Sequence, residues 1–281
     1  MRTMTPARRA MALGALLMPG IRSYMVPCAA SRAIRGMCFA SRAADTGEEP
    51  RLPVVHSSTL AIVPPDEVWE PIQQARKEVR DAGLLRWPPH CNLIYPFVPP
   101  KHYGKVLGGF GRALAAVEPF DITLSQFEAF HRKTSSVLWL KPETSVPGVI
   151  DEVHRALAEE FSTTNNTPWR GFTPHFTISH FESREACDEA AARLGEWWQP
   201  ITFHVDQIHV MSRKGPVKPF TLRYRVRLGE PNQDRQIVAA QDGEESYENM
   251  PREGDIDTGW SARYRKGLLD RQQRGRRRKS R

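Results

Sequence analysis

Apolar and polar positions alternate in the middle of this chain, and they do so twice. In "HCNLIYPF" (residues 90–97), a strand puts His90 and Asn92 on one face and Cys91, Leu93 and Tyr95 on the other. In "HFTISHF" (175–181), His175, Thr177 and Ser179 share a face, opposite Phe176, Ile178 and His180. Each strand therefore joins an apolar face fit for a core to a polar face headed by histidine.

The segments around these strands correspond as well. "SSTLAIVPPDEVWEPI" (57–72) is echoed by "SSVLWLKPETSVPGVI" (135–150), a β-branched strand followed by proline and a helix start. Helical spacing of apolar residues continues in "WEPIQQARKEVRDAG" and "VIDEVHRALAEEF". A loop with a tryptophan (Trp87, Trp169) then leads to Pro-His, and a second helix follows in each half. "EPFDITLSQFEAF" (118–130) matches "QPITFHVDQIHVM" (199–211) as Pro-x-x-apolar-x-apolar-x-Gln-apolar. Matching points lie 78, 85 and 81 residues apart. That period is far too long for a solenoid and predicts a duplicated α+β unit. The halves are expected over about 54–130 and 131–214. "KPFTLRYRVRLG" would add a last strand, paired antiparallel to the one before it through the turn at Gly215-Pro216. The whole reads as one bilobal domain, residues 54–229.

Two residues along a strand span roughly 6.6 Å at ~3.3 Å per residue, so an imidazole and a small polar group can converge on one tetrahedral anion. Two such strands across a cleft would grip a phosphate. Phosphodiester cleavage needs a base for the nucleophile and an acid for the leaving oxygen, and histidine serves as either near neutrality. Donors are also needed for the charge that grows on the phosphoryl oxygens. His90 and His175 are the candidate catalytic pair, with Asn92 and Thr177 as phosphate-binding groups. Neither cofactor nor metal is expected. Trp87 and Trp169 are candidates for stacking on a base, with core packing as the alternative. Arg213 is a candidate substrate contact or a solvated strand-end cation. His131, His204 and His209 have no matched partner and read as structural.

His-x-Asn-Leu and His-x-Thr-Ile, set in a duplicated α+β chain, resemble the 2H phosphoesterase superfamily, whose signature is two copies of His-apolar-Ser/Thr-apolar. "PPHCNLIYPF" is most similar to its 2′-5′ RNA ligase-like branch, a neighbour of the A-kinase-anchor-like phosphoesterases. The resemblance covers residues 54–229. It implies two antiparallel sheets flanking a central cleft with helices outside. It also implies metal-independent action on 2′-5′ linkages, 2′,3′-cyclic phosphates or RNA 3′ ends, with the ligase direction open. The family's histidines carry over to His90 and His175 and its hydroxyl to Thr177. Asn92 departs from the pattern: its amide can donate to phosphate but lacks the compact geometry of a hydroxyl. The alternative is therefore a weakly active or inactive RNA-binding subunit of a ribonucleoprotein complex.

Charge separates the ends from the body. Residues 1–44 hold seven arginines and no acid, residues 271–281 hold seven bases and no acid, and the formal net charge of the 281 residues is +8. The body between is net acidic. An Arg-, Ala- and Ser-rich, acid-free start has the composition of a mitochondrial transit peptide, and "AMALGALLM" within it could alternatively form the core of a secretory signal. That run is too short to span a bilayer, so no transmembrane segment is expected. The four cysteines show no ligand or disulfide spacing. Residues 230–281 are polar, acidic first and basic last, and are expected to be mostly disordered. Their basic end would contact RNA phosphates or ribonucleoprotein partners.

Overall fold

The structure, a computed structural model, describes residues 52–162, 171–230, 232–257, 259–260 and four positions between 266 and 273. The predicted targeting segment, Trp169 and nearly all of the basic end lie outside the described residues.

Among the described residues nine strands form two antiparallel sheets. The first runs β2 (Cys91–Ile94), β1 (Ser58–Ile62), β7 (Gln207–Ser212), β8 (Thr221–Arg227), β9 (Ile237–Ala239). The second runs β5 (Phe176–Phe181), β4 (Ser135–Thr144), β3 (Phe120–Arg132), β6 (Ile201–Val205). The helices of ten or more residues are α1 (Trp69–Glu78), α2 (Tyr103–Leu114), α3 (Val149–Glu160) and α4 (Arg184–Gly195). Their apolar stripes, such as Ile72 and Ala75 on α1 and Ile150, Val153 and Leu157 on α3, bury against Leu60, Ile62, Val210 and Ile178 in one continuous core. Gly109 lets α2 approach the end of α3 closely: a Cβ there would meet Phe161 at 2.8 Å. Ser183 caps α4 by accepting from the Ala186 N–H at 3.1 Å.

The ladder registers repeat the offsets seen in the sequence. Leu60 and Leu138, 78 apart, occupy the same place in β1 and β4; Asn92 and Thr177, 85 apart, in β2 and β5; Val210 and Ala129, 81 apart, in β7 and β3. The expected pairing of the last strand with the one before it is also present, as β7–β8.

Two expectations are corrected. The halves are not closed at residue 130. β3, read as the last strand of the first half, lies in the second sheet beside β4, and its equivalent β7 lies in the first sheet beside β1. Alternation specifies which face of a strand is buried but not which neighbour it pairs with, and here each half lends its last strand to the other. Residues 232–257, part of the segment expected to be mostly disordered, carry defined structure. β9 pairs with β8, Glu245 exchanges backbone hydrogen bonds with Leu222 at 2.8 and 3.0 Å, and Trp260 packs on Leu84. Few apolar residues were available to announce this. Much of the anchoring is by backbone pairing and by ion pairs of Glu244 and Glu245 with Lys214, Arg223 and Arg225.

Candidate active site

β2 and β5 are the outer strands of their sheets, and they meet side by side across the molecule. His90 and His175 each stand one residue before their strand, and the two rings lie near enough for the charge of one to act on the other. The Cys91 thiol, next in chain to His90, reaches the His175 backbone. Both strands carry a β-bulge at the same place. Leu60 pairs with Ile94 and Ala61 with Asn92, which leaves Leu93 over; Leu138 pairs with Ser179 and Trp139 with Thr177, which leaves Ile178 over. A bulge bends the strand and re-aims the side chains beside it. The simple alternation expected along 175–181 therefore breaks at Ile178, where two consecutive residues, Ile178 and Ser179, are both buried.

The imidazoles are anchored alike. His90 Nδ1 lies 2.8 Å from the Pro88 carbonyl and His175 Nδ1 2.8 Å from the Thr173 carbonyl. A carbonyl only accepts, so each neutral ring carries its proton on Nδ1 and a lone pair on Nε2. Burial is the main cause that pushes the His90 pKa down, to about 3, with the positive charges of Arg76 and His175 adding to it. Burial lowers His175 too. Without a bound anion both rings are neutral at neutral pH.

Beyond the rings the halves differ. Asn92 Nδ2 lies 3.1 Å from His90 Nε2, and with the lone pair there the amide must be the donor. Its Oδ1 then accepts from Thr59 Oγ1 at 2.7 Å. Asn92 is thus tied to the ring as well as facing the cleft, with a second amide hydrogen left over for an oxyanion. In the second half Thr177 replaces Asn92, and Val137, which has no hydroxyl, replaces Thr59.

Trp87 is half-buried in a stack, 4.5 Å from the His90 ring and 3.8 Å from Phe220, and the Arg213 guanidinium lies 4.8 Å from the Phe220 ring centre. Arg213 also donates to the carbonyls of His56 and Pro216. These two candidates form the wall behind His90. In the second half Phe130 and Trp139 lie edge-on to His175, at 5.2 and 6.0 Å. Among the described residues no three His, Cys, Asp or Glu side chains gather as metal ligands. No described helix is long and apolar enough to cross a membrane.

Sequence reasoning missed Thr59 and His154. His154 on α3 donates through Nδ1 to the carbonyl of Leu93, the bulged residue of β2, at 2.7 Å, with its ring stacked 3.8 Å from Phe172. It satisfies a carbonyl in the irregular part of the ladder and ties the second half to the strand of His90. A histidine on the apolar face of an amphipathic helix was the available signal.

The sequence pattern of the 2′-5′ RNA ligase superfamily matches residues 64–216, more than half of the chain. The chain belongs to this superfamily, a group of 2H phosphoesterases. Among solved structures it is similar to E. coli LigT complexed with 3′-AMP, at 18% identity over 62% of this chain and 99% of LigT, TM-score 0.45. TT0787 of Thermus thermophilus is 18% identical over 62% and 99%, TM-score 0.42. Kluyveromyces marxianus Usb1 with uridine monophosphate is 12% identical over 56% and 94%, TM-score 0.38. No curated protein matches the chain.

Proposed function

We propose that this member of the superfamily is a phosphodiesterase of RNA ends, cleaving 2′,3′-cyclic or 2′-5′ phosphodiester bonds by histidine acid–base chemistry. The observation that carries the reading is the duplicated anchor: two imidazoles, each fixed through Nδ1 and following the same bulged geometry, brought to one cleft. The steps are written with His90 as the base, and the duplicated anchors fit the reverse assignment equally. His175 takes up a proton when the phosphate adds negative charge, and is then the acid. His90 Nε2 accepts a proton from water as its oxygen attacks phosphorus. The bond from phosphorus to the leaving ribose oxygen breaks, and His175 Nε2–H protonates that oxygen. Thr177 and the second amide hydrogen of Asn92 hold the nonbridging oxygens.

The bond from Asn92 to His90 Nε2 favours a second reading, a weakly active or inactive RNA-binding subunit, because it occupies the lone pair the base needs. Purified protein incubated in EDTA with a 2′,3′-cyclic nucleotide and a 2′-5′ dinucleotide separates the two. Turnover of either, reduced on the order of 10²–10⁴ by His90→Ala and by His175→Ala, supports the enzyme. Binding of RNA without turnover supports the subunit.

The setting proposed for this activity is mitochondrial RNA processing. It is supported by the arginine-rich, acid-free composition of residues 1–44. Residues 1–44 fused to a fluorescent protein should report to mitochondria; retention in the secretory pathway would favour the signal-peptide alternative.

A further inference from the structure

Equivalent faces of the two sheets differ among the described residues, one being covered and the other not. On the first sheet Asn92, Ala61, His209 and Arg225 stand in one row across β2, β1, β7 and β8. Tyr247, from the chain beyond β9, covers that row, with its hydroxyl 2.9 Å from His209 Nδ1 and its ring 5.5 Å from Trp69. Glu245 and Glu244 pin the segment to Arg225, Arg223 and Lys214. About 360 Å³ of space remains beside Tyr247, but Asp66, Asp206, Glu245 and Glu248 line it against Arg225. That acidic lining repels a phosphate ester.

The equivalent row on the second sheet is Thr177, Trp139 and Glu128. Among the described residues nothing there takes the part of Tyr247. Instead a cavity of about 230 Å³ opens beside the segment leading into His175, lined by Trp139, Glu128, Lys141, Asp151 and Thr173. Trp139 is 3% exposed, and its buried indole N–H has no hydrogen-bond partner among the described residues. Glu128, paired with Lys141 at 2.9 Å, sits at the position that His209 holds in the first half.

The chain thus places an aromatic ring of its own where the first half would have this cavity. We infer that the second-half cavity takes the nucleobase of the substrate, and that Tyr247 keeps its counterpart shut. The cleft then accepts a phosphate bearing its nucleoside on the His175 side alone. The inference rests on the phosphodiesterase reading and narrows it. A 2′,3′-cyclic nucleotide end fits, whereas an internal 2′-5′ linkage, with nucleosides on both sides of the phosphate, does not. The Lys141 ammonium and the Glu128 carboxylate, which both line the cavity, offer a donor and an acceptor to the base edge, a pairing every base can meet.

The test compares kcat/KM for 2′,3′-cyclic AMP and for 2′-5′ adenylyl-adenosine. The full chain should prefer the cyclic substrate by on the order of tenfold or more. Tyr247→Ala should raise dinucleotide turnover on the order of tenfold with the cyclic rate nearly unchanged. The double variant Glu244→Gln, Glu245→Gln, which loosens the segment without removing a ring, should move the ratio the same way. Glu128→Ala, which removes the acceptor, should raise KM for the cyclic substrate more than it lowers kcat. Equal turnover of both substrates by the full chain overturns the inference and leaves the phosphodiesterase reading standing. So does an unmoved ratio in strap variants that keep the native circular dichroism. Failure of the full chain to hydrolyse either substrate overturns both.

Discussion

The two halves of the cleft share a backbone and differ in the polar groups laid on it. Each supplies a histidine anchored through Nδ1 to a carbonyl two residues back, and a bulge one position past Asn92 or Thr177. In the first half Thr59, Asn92 and Trp87 tie the ring down on several sides. In the second, Val137, Thr177 and Phe130 leave the polar face looser. Duplication supplies two equal imidazoles, but an acid and a base must differ. Burial lowers the pKa of both rings, that of His90 to about 3, so the difference must come from the groups around them and from the bound substrate.

Helix positions 78 residues apart carry the contrast into stability. Arg76 on α1 is 3% exposed and binds Asp81 through Nε and Nη2 at 3.0 and 2.7 Å, with Nη1 on Gln73 and the Trp87 carbonyl at 2.9 Å. Its counterpart His154 makes its hydrogen bond to Leu93 in the other half. Arg76→Ala leaves the Asp81 carboxylate buried and unpaired and should cost about 3–5 kcal/mol in urea unfolding. It should also release the loop that holds Trp87 against His90. His154→Ala should cost less, about 1–3 kcal/mol for an unsatisfied buried carbonyl, yet lower kcat because the bulge beside Asn92 loses its tie. Equal losses of stability from the two changes would mean that the helices do the same work in both halves.

Acid should separate the halves further. His90 and His209, both on the cleft side of the first sheet, have their pKa lowered by burial from 6.5 to about 3. Between those values the unfolded chain binds protons that the folded chain does not. Their contribution is therefore fully present above about pH 6.5 and is lost as pH falls through that window toward about 3. Urea midpoints should drop between pH 7 and pH 4, and His209→Gln should flatten the drop. A midpoint insensitive to pH in this range would mean that these rings are hydrated.

The repeat was legible because the core demands it. Leu60 and Leu138 must both point to the helices, so their surroundings stay alike in sequence, and the histidine motifs follow on strands whose buried faces are equally constrained. The exchange of β3 and β7 was not legible, since pairing partners leave no mark on a single strand's alternation. Thr59 was hidden for another reason. It reads as an ordinary β-branched strand residue, and only the fold brings its hydroxyl within 2.7 Å of Asn92, 33 residues away. Tyr247 likewise sits in an acidic, apolar-poor stretch and gains meaning only from His209 and Trp69, distant in sequence.

Exchanging the phosphate-binding residues tests whether the polar asymmetry matters for rate. Asn92→Thr removes the amide from His90 Nε2 and restores the superfamily's hydroxyl. Turnover should hold or rise by a few-fold, since a hydrogen bond between neutral groups is worth about 0.5–1.5 kcal/mol. Thr177→Asn should lower turnover by a similar factor by giving the acid the same encumbrance. If Asn92→Thr abolishes activity instead, the amide takes part in the chemistry.

The smallest effect is expected at the far end of the chain, and the folded strap changes where the cut must be made. Removing everything after residue 230 would strip β9 from β8 and uncover Trp69 and His209, so any loss of activity would report on folding. Removing residues 271–281 takes away seven bases and spares the strap. If those bases neutralise RNA phosphates, they release counterions, and that part of binding falls steeply with salt. The shortened chain should hydrolyse a small cyclic substrate at the full rate, bind long RNA more weakly, and show a shallower slope of log affinity against log salt. Each phosphate that is no longer neutralised should reduce that slope by roughly 0.7–0.9. Unchanged RNA affinity and slope would assign the basic end to a protein partner, and the cleft alone would then account for RNA recognition.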